Sequence, residues 1–237
     1  MSTIELKLPQ ELNDIKLREY QEYAAVLNQF DLEKDADMIS QKSIAIFCDV
    51  PMHHIVKTPL VRFDNLLMHL NDILSTKALP QYKFEMTGSN GVTVKFGLMP
   101  DLHNMSYAEW KDLEMYMANG WTDMHKALAV LYRPITFEAK NGMYRIEDYE
   151  SAKKYAEVMK DTPLEVALGV EVFFCHLGTR LQVSTISSTL QEIKEQSLTD
   201  TKRTLVESGE NINRSYLSLT ETLMKLKERQ RFHYTSH

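Results

Sequence analysis

Residues 82–98 read YKFEMTGSNGVTVKFGL. Tyr82, Phe84 and Met86 alternate with polar neighbours, Gly88, Ser89, Asn90 and Gly91 tolerate positive φ, and Val92, Val94, Phe96 and Leu98 alternate again. A period of two on both sides of a turn cluster predicts a β-hairpin over 82–98. A second hairpin is predicted near 135–147, where Ile135, Phe137 and Ala139 precede Asn141-Gly142 and Tyr144 and Ile146 follow; Asn-Gly is a strong hairpin turn. The segments around these ribbons carry a helical period. The fold class is therefore α+β, predominantly α-helical, with the two hairpins forming a small antiparallel sheet on a helical body.

Upstream of the first hairpin, Leu17, Tyr20, Tyr23 or Ala24, and Leu27 make one apolar stripe on a helix over 17–30. A second helix, 36–48, presents Ile39, Ser43, Ile46 and Phe47 and is ended by Pro51. A short turn over 52–56 leads to a third, 61–74, whose Phe63, Leu66, Leu67, Leu70 and Leu74 form the clearest amphipathic face. These three should pack as a bundle. Between the hairpins, helices are expected at about 106–117 and 122–132, the first opened by a Ser106–Glu109 capping box. After the second hairpin a helix is expected around 148–159. Asp161-Thr162-Pro163 then reads as an N-cap and early proline opening a long apolar helix through Phe173, Phe174 and Leu177.

With 237 residues, 43% hydrophobic and 25% charged, the chain has the composition of a folded protein. It holds 8 Gly and 7 Pro, where average usage gives about 17 and 12. The shortage is local: residues 181–237 contain Gly209 and no proline. The domain reading is a body over 1–181 and a long helical, coiled-coil-like segment over 182–237. Within that segment Leu198, Leu205, Ile212, Leu219 and Leu226 recur every seven residues, with Tyr216 and Leu223 at the intervening four. An exposed seam of this kind needs the body, a second copy or a partner to cover it.

Net charge is −6, and residues 183–237 hold 8 Lys plus Arg against 7 Asp plus Glu, so the acidity belongs to the body at −7. No basic face is available for phosphates, which argues against nucleic acid as a partner. No run approaches the roughly 20 apolar residues of a membrane span. Met1 to Pro9 lacks the apolar core of a secretory signal, so a soluble intracellular protein is expected. Cys48 and Cys175 indicate neither a disulfide framework nor a metal knuckle. The histidines supply no pair four apart around a glutamate, adjacent His53 and His54 should point in different directions, and neither metal nor cofactor is expected.

Glu109 with Asp112, and Glu147 with Asp148, are the paired carboxylates. They read either as acid–base pairs or as helix-start acids complementing the macrodipole. Arg133, set between Tyr132 and Pro134 at a helix end, suits an anion, a body carboxylate or helix carbonyls. Trp110, Tyr116, Trp121 and Tyr132 read as a joint between sheet and helices. An enzyme built on Glu109, Asp112, His125 and Arg133 is one alternative, although their spacing matches no catalytic motif.

Three stretches carry a resemblance: Gly97-Leu98-Met99-Pro100-Asp101-Leu102; Met105-Ser106-Tyr107-Ala108-Glu109-Trp110-Lys111-Asp112-Leu113; and Met124-His125-Lys126-Ala127-Leu128-Ala129-Val130-Leu131-Tyr132-Arg133-Pro134. With Asp161 to Gly169 and Phe173-Phe174, they resemble a family of tailed-bacteriophage proteins of virion and tail morphogenesis over residues 15–180. The chain departs from the pattern at Ala108, where the family has glycine. The resemblance implies a non-enzymatic assembly protein acting through protein–protein contacts, similar to a tail assembly chaperone. Its partners would be phage tail or other virion proteins, and its place the host cell cytoplasm during assembly. A stoichiometric component of neck, tail or internal cargo, retained in the virion, is equally compatible. Pro100, Glu109, Tyr132, Arg133 and Pro134 would organise the body, and Leu198 through Leu226 would make the contact.

Overall fold

The structure, a computed structural model, describes residues 6–88, 91–100, 102 and 105–173; the expected C-terminal helix with its seam of Leu198, Leu205, Ile212, Tyr216, Leu219, Leu223 and Leu226 lies outside them. The described residues form eight helices and one four-stranded antiparallel sheet. The helices are α1 (Leu17–Gln29), α2 (Ala36–Phe47), α3 (Met52–Ile55), α4 (Leu60–Leu74), α5 (Tyr107–Ala118), α6 (Met124–Leu131), α7 (Ala156–Met159) and α8, helical over 164–173. The strands are β1 (Lys83–Thr87), β2 (Thr93–Leu98), β3 (Tyr132–Glu138) and β4 (Tyr144–Ile146), in the order β1-β2-β3-β4.

Both expected hairpins form. In the first, Phe84 pairs with Phe96 and Thr87 with Thr93, and Gly91 takes φ +76° in the turn. In the second, Gly142 takes φ +84° and Glu138 pairs with Tyr144, with a register shift between Ile135 and Phe137. The two ribbons join through β2 and β3, where Gly97 faces Arg133 and Leu98 faces Tyr132. Tyr144 lies across this join: a Cβ added at Gly97 would stand 2.5 Å from the Tyr144 ring. The ring is held there by its hydroxyl, which donates to the carbonyl of Leu98 at 2.7 Å. On the sheet surface Glu138 accepts from Lys83 at 2.6 Å and Lys95 at 2.7 Å. Those two ammonium groups hold its carboxyl down to about 2.

Three expectations change. The helix expected over 122–132 is a 3-10 turn, Gly120–Asp123, followed by α6, which stops at Leu131 so that Tyr132 already begins β3. Pro134 explains the stop: a residue before proline is pushed to extended backbone, which places Arg133 in a strand rather than at a helix end. The helix expected over 148–159 is reduced to a 3-10 turn, Ala152–Lys154, and the single turn α7. Extended Ser151 and the Tyr149 hydroxyl bind the backbone N–H groups of Lys153 and Ala152, which competes with helix formation. His53 and His54 do not diverge; their rings stand 3.9 Å apart.

The core centres on α6, where Met124, Ala127, Leu128, Ala129, Val130 and Leu131 are all fully buried. It is bounded by Leu17, Tyr20 and Tyr23 of α1, Ile39, Ile44 and Phe47 of α2, Phe84 and Phe96 of the sheet, and Leu164, Val166 and Val170 of α8. The ends of α1 and α8 are tied together, with Leu17 N–H donating to the Thr162 carbonyl at 2.9 Å and Leu164 N–H to that of Ile15 at 2.8 Å. The Asp161 carboxylate pairs with Lys16 and Arg18 at this junction. α4 is the least covered helix of the bundle: only Leu70 and Ile73 are buried, while Phe63, Leu66, Leu67 and Leu74 are half-buried.

Candidate functional site

The first turn of α5 supplies the centre of the site. Ser106 accepts from the Glu109 N–H at 3.3 Å, and the Glu109 carboxylate accepts from the Ser106 N–H at 2.7 Å, which is the expected capping box. The second Glu109 oxygen stands 2.8 Å from Nη1 of Arg133, with side-chain exposures of 8% and 7%. Glu109 thus serves the helix N-terminus with one oxygen and a buried guanidinium with the other. The Arg133 Cζ lies 5.6 Å from the centre of the Tyr149 ring, and Tyr149 donates to the Asp112 carboxylate one turn along α5 from Glu109. Burial, with that hydrogen bond second, holds the Tyr149 phenol above its ordinary range.

A cleft of about 430 Å³ opens beside this chain of contacts, lined by Pro100, Ser106, Glu109, Arg133, Glu147, Asp148 and Tyr149 among others. Glu147 is engaged: its two oxygens bind Lys154 at 2.8 Å and the Tyr155 hydroxyl, and these hydrogen bonds lower its pKa. Burial first, then the Glu147 bond, pushes the Tyr155 phenol up to about 12. No described group of three or more His, Cys, Asp or Glu could hold a metal ion.

Of the residues expected to organise the body, Pro100, Glu109 and Arg133 meet at this cleft. Tyr132 and Pro134 do not. Strand alternation sends them to the other face of β3, where the Tyr132 ring packs on Phe84 at 5.1 Å and its hydroxyl donates to the Gln81 carbonyl at 2.6 Å. Pro134 faces Phe96 and borders a larger groove. The aromatic joint divides likewise: Tyr132 belongs to the sheet, whereas Trp121 packs against Tyr20 of α1 at 4.5 Å.

The four groups of the enzyme alternative separate into two places. Glu109, Arg133 and, through Tyr149, Asp112 form one network. His125 is in another: its Nδ1 lies 2.9 Å from Nε2 of Gln21, which also donates to the Trp121 carbonyl at 2.7 Å. Gln21 and Tyr149 are the functional partners that sequence reading missed. Gln21 stands among the polar positions of α1, and Tyr149 directly follows the Glu147-Asp148 pair. Neither position carries a local motif.

Burial first, then the charges of Lys160 and Lys126, holds the His125 imidazole below its ordinary 6.5. The unfolded chain therefore binds this proton more readily than the folded one, and stability falls as pH drops through the unfolded value. In urea unfolding the midpoint should decline between about pH 7.5 and 5.5, and the decline should be shallower for His125→Gln. An identical decline in both proteins would place the titrating group elsewhere.

No described helix is long and apolar enough to cross a membrane. Comparison with protein-family models, curated proteins and solved structures finds no match to this chain.

Proposed function

We propose that this chain is a non-enzymatic protein of tailed-phage assembly that works through protein–protein contacts, in the manner of a tail assembly chaperone. One observation carries the non-enzymatic reading: the four groups of the enzyme alternative do not converge, since Glu109, Asp112 and Arg133 are committed to structural partners and His125 stands in another place. Glu109 is bound by Ser106 and Arg133, Asp112 by Tyr149, Glu147 by Lys154 and Tyr155, and His125 by Gln21. A general base must be free to reach a substrate proton. Groups held in a closed network serve to position α5 against β3 and the 147–155 segment. The phage setting rests on the motif resemblance over residues 15–180, and the contact surface is the seven-residue seam from Leu198 to Leu226.

Full-length protein carrying Leu219→Asp and Leu226→Asp tests the reading. Phage production complemented by this variant should fail, and the complexes formed by the wild-type chain should be lost while its circular dichroism is kept. Normal particle yield with unchanged oligomeric mass would remove the seam from the function. Mass spectrometry of purified particles then separates the two assembly roles. Absence from the particle marks a chaperone, and a fixed copy number marks a component of neck, tail or internal cargo.

A further inference from the structure

The helix α4 has a second apolar face that no described element covers. Leu70 and Ile73 turn inward, but Leu60, Val61 and Met68 are 73%, 72% and 64% exposed, and Leu67 beside them is half-buried. On an α-helix, positions 60, 61, 67 and 68 fall on one side, so this is an apolar stripe that repeats after seven residues. It runs about 12 Å at 1.5 Å per residue. Asp64 stands in the middle of the stripe and Asp72 one turn beyond its end, and neither has an ion-pair partner among the described residues.

The same period recurs at the other end of the chain. Tyr216, Leu219, Leu223 and Leu226 alternate spacings of three and four, and on a helix Leu219 to Leu226 would span about 10 Å. The positions beside the seam at its end are Lys227 and Arg229, in a stretch from 222 to 231 with four basic residues and one acid. Period, length and charge are complementary to the α4 stripe: leucines meet Leu60, Val61, Leu67 and Met68, and the basic flank meets Asp64 and Asp72.

We infer that residues 216–229 dock on the α4 stripe of their own chain. The 42 residues between 173 and 216 span at most roughly 150 Å, and the docking requires the helical segment read from 182 to turn back before 216, with Gly209 as the residue that permits the turn. A contact within one chain does not weaken on dilution, whereas a contact with a second copy does, so in dilute solution the same-chain occupant is favoured. The consequence rests on the assembly role proposed for the seam: an assembly partner must compete with α4, so the free protein keeps its own seam covered.

Chymotrypsin cleavage after Tyr216 in the full-length protein reads the docked state. Cleavage tracks the population of the open form when opening is fast. Leu60→Lys with Met68→Lys should speed it by at least about tenfold, given the apolar area that both side chains would bury. Because both are exposed, circular dichroism should not change. Asp64→Lys should also speed cleavage, and adding Lys227→Asp should restore the wild-type rate.

Equal cleavage of the wild-type and Leu60→Lys/Met68→Lys proteins would overturn the docking. Protection that fades on hundredfold dilution would overturn the assignment to the same chain and give the stripe to a second copy. The protease assay involves no particle, so its failure is distinct from that of the assembly reading, which is judged on phage yield.

Discussion

Glu109→Ala is expected to cost about 3–5 kcal/mol of folding stability, the range for breaking a buried ion pair by removing one partner. Both side chains are more than nine-tenths buried, and the Arg133 Nε lacks a hydrogen-bond partner among the described residues, so no described group there replaces the carboxylate when it is lost. The substitution also strips the acceptor from the Ser106 N–H at the start of α5. Glu109→Gln keeps a carbonyl oxygen for that N–H and removes only the charge, so it should fall between Ala and the wild type. Chemical denaturation of these variants beside Glu109→Leu, Arg133→Met and the pair combining those two separates charge from packing. The double variant should be considerably more stable than the sum of the single losses predicts, because it leaves no unpaired buried ion. A loss below about 1 kcal/mol for Glu109→Ala would mean that the pair behaves as a surface salt bridge.

Gly169→Ala is expected to destabilise by about 1–3 kcal/mol, the cost of overpacking a filled site. In an unencumbered helix the same change stabilises by up to about 1 kcal/mol, so here the sign itself is informative. An added Cβ would stand 2.6 Å from the Leu79 carbonyl oxygen and 3.3 Å from the Pro80 Cα, both backbone atoms that cannot rotate aside. This contact seats α8 against the segment leading into β1, just before Gln81, whose side chain donates to Glu165 of α8 at 2.9 Å. Gly169→Ala should therefore lower the denaturation midpoint, and Gly169→Val should lower it further. A rise with alanine would show that 79–80 moves away without cost. The packing supplies a physical reason for a residue without Cβ at 169.

The two predictions probe the supports of one unit. The capping glutamate holds the start of α5 to β3, and the α8 glycine holds the last described helix to the lead-in of β1. Loss of assembly in a seam variant with normal folding, set beside loss of folding in these two, would separate the body's task from the contact surface proposed for residues 198–226.

Features that depend on near neighbours were legible in residue order. The hairpins at 82–98 and 135–147 were legible because strand alternation and positive-φ turn residues sit within a few positions of one another. The Ser106–Glu109 box was legible because its partners are three residues apart, and α1, α2 and α4 because an apolar stripe is periodic. Even the end of α6 was written locally, in Pro134, although helical periodicity through Tyr132 concealed it. Residue order did not reveal that Glu109 faces Arg133, that Tyr149 reaches Asp112, that Gln21 meets His125 across 104 residues, or that Asp161 turns to Lys16 and Arg18. A polar or charged group takes whichever partner the packed elements bring within about 3 Å. The pairing of β2 with β3 sets that partner, and it is a register between distant segments that no local spacing encodes.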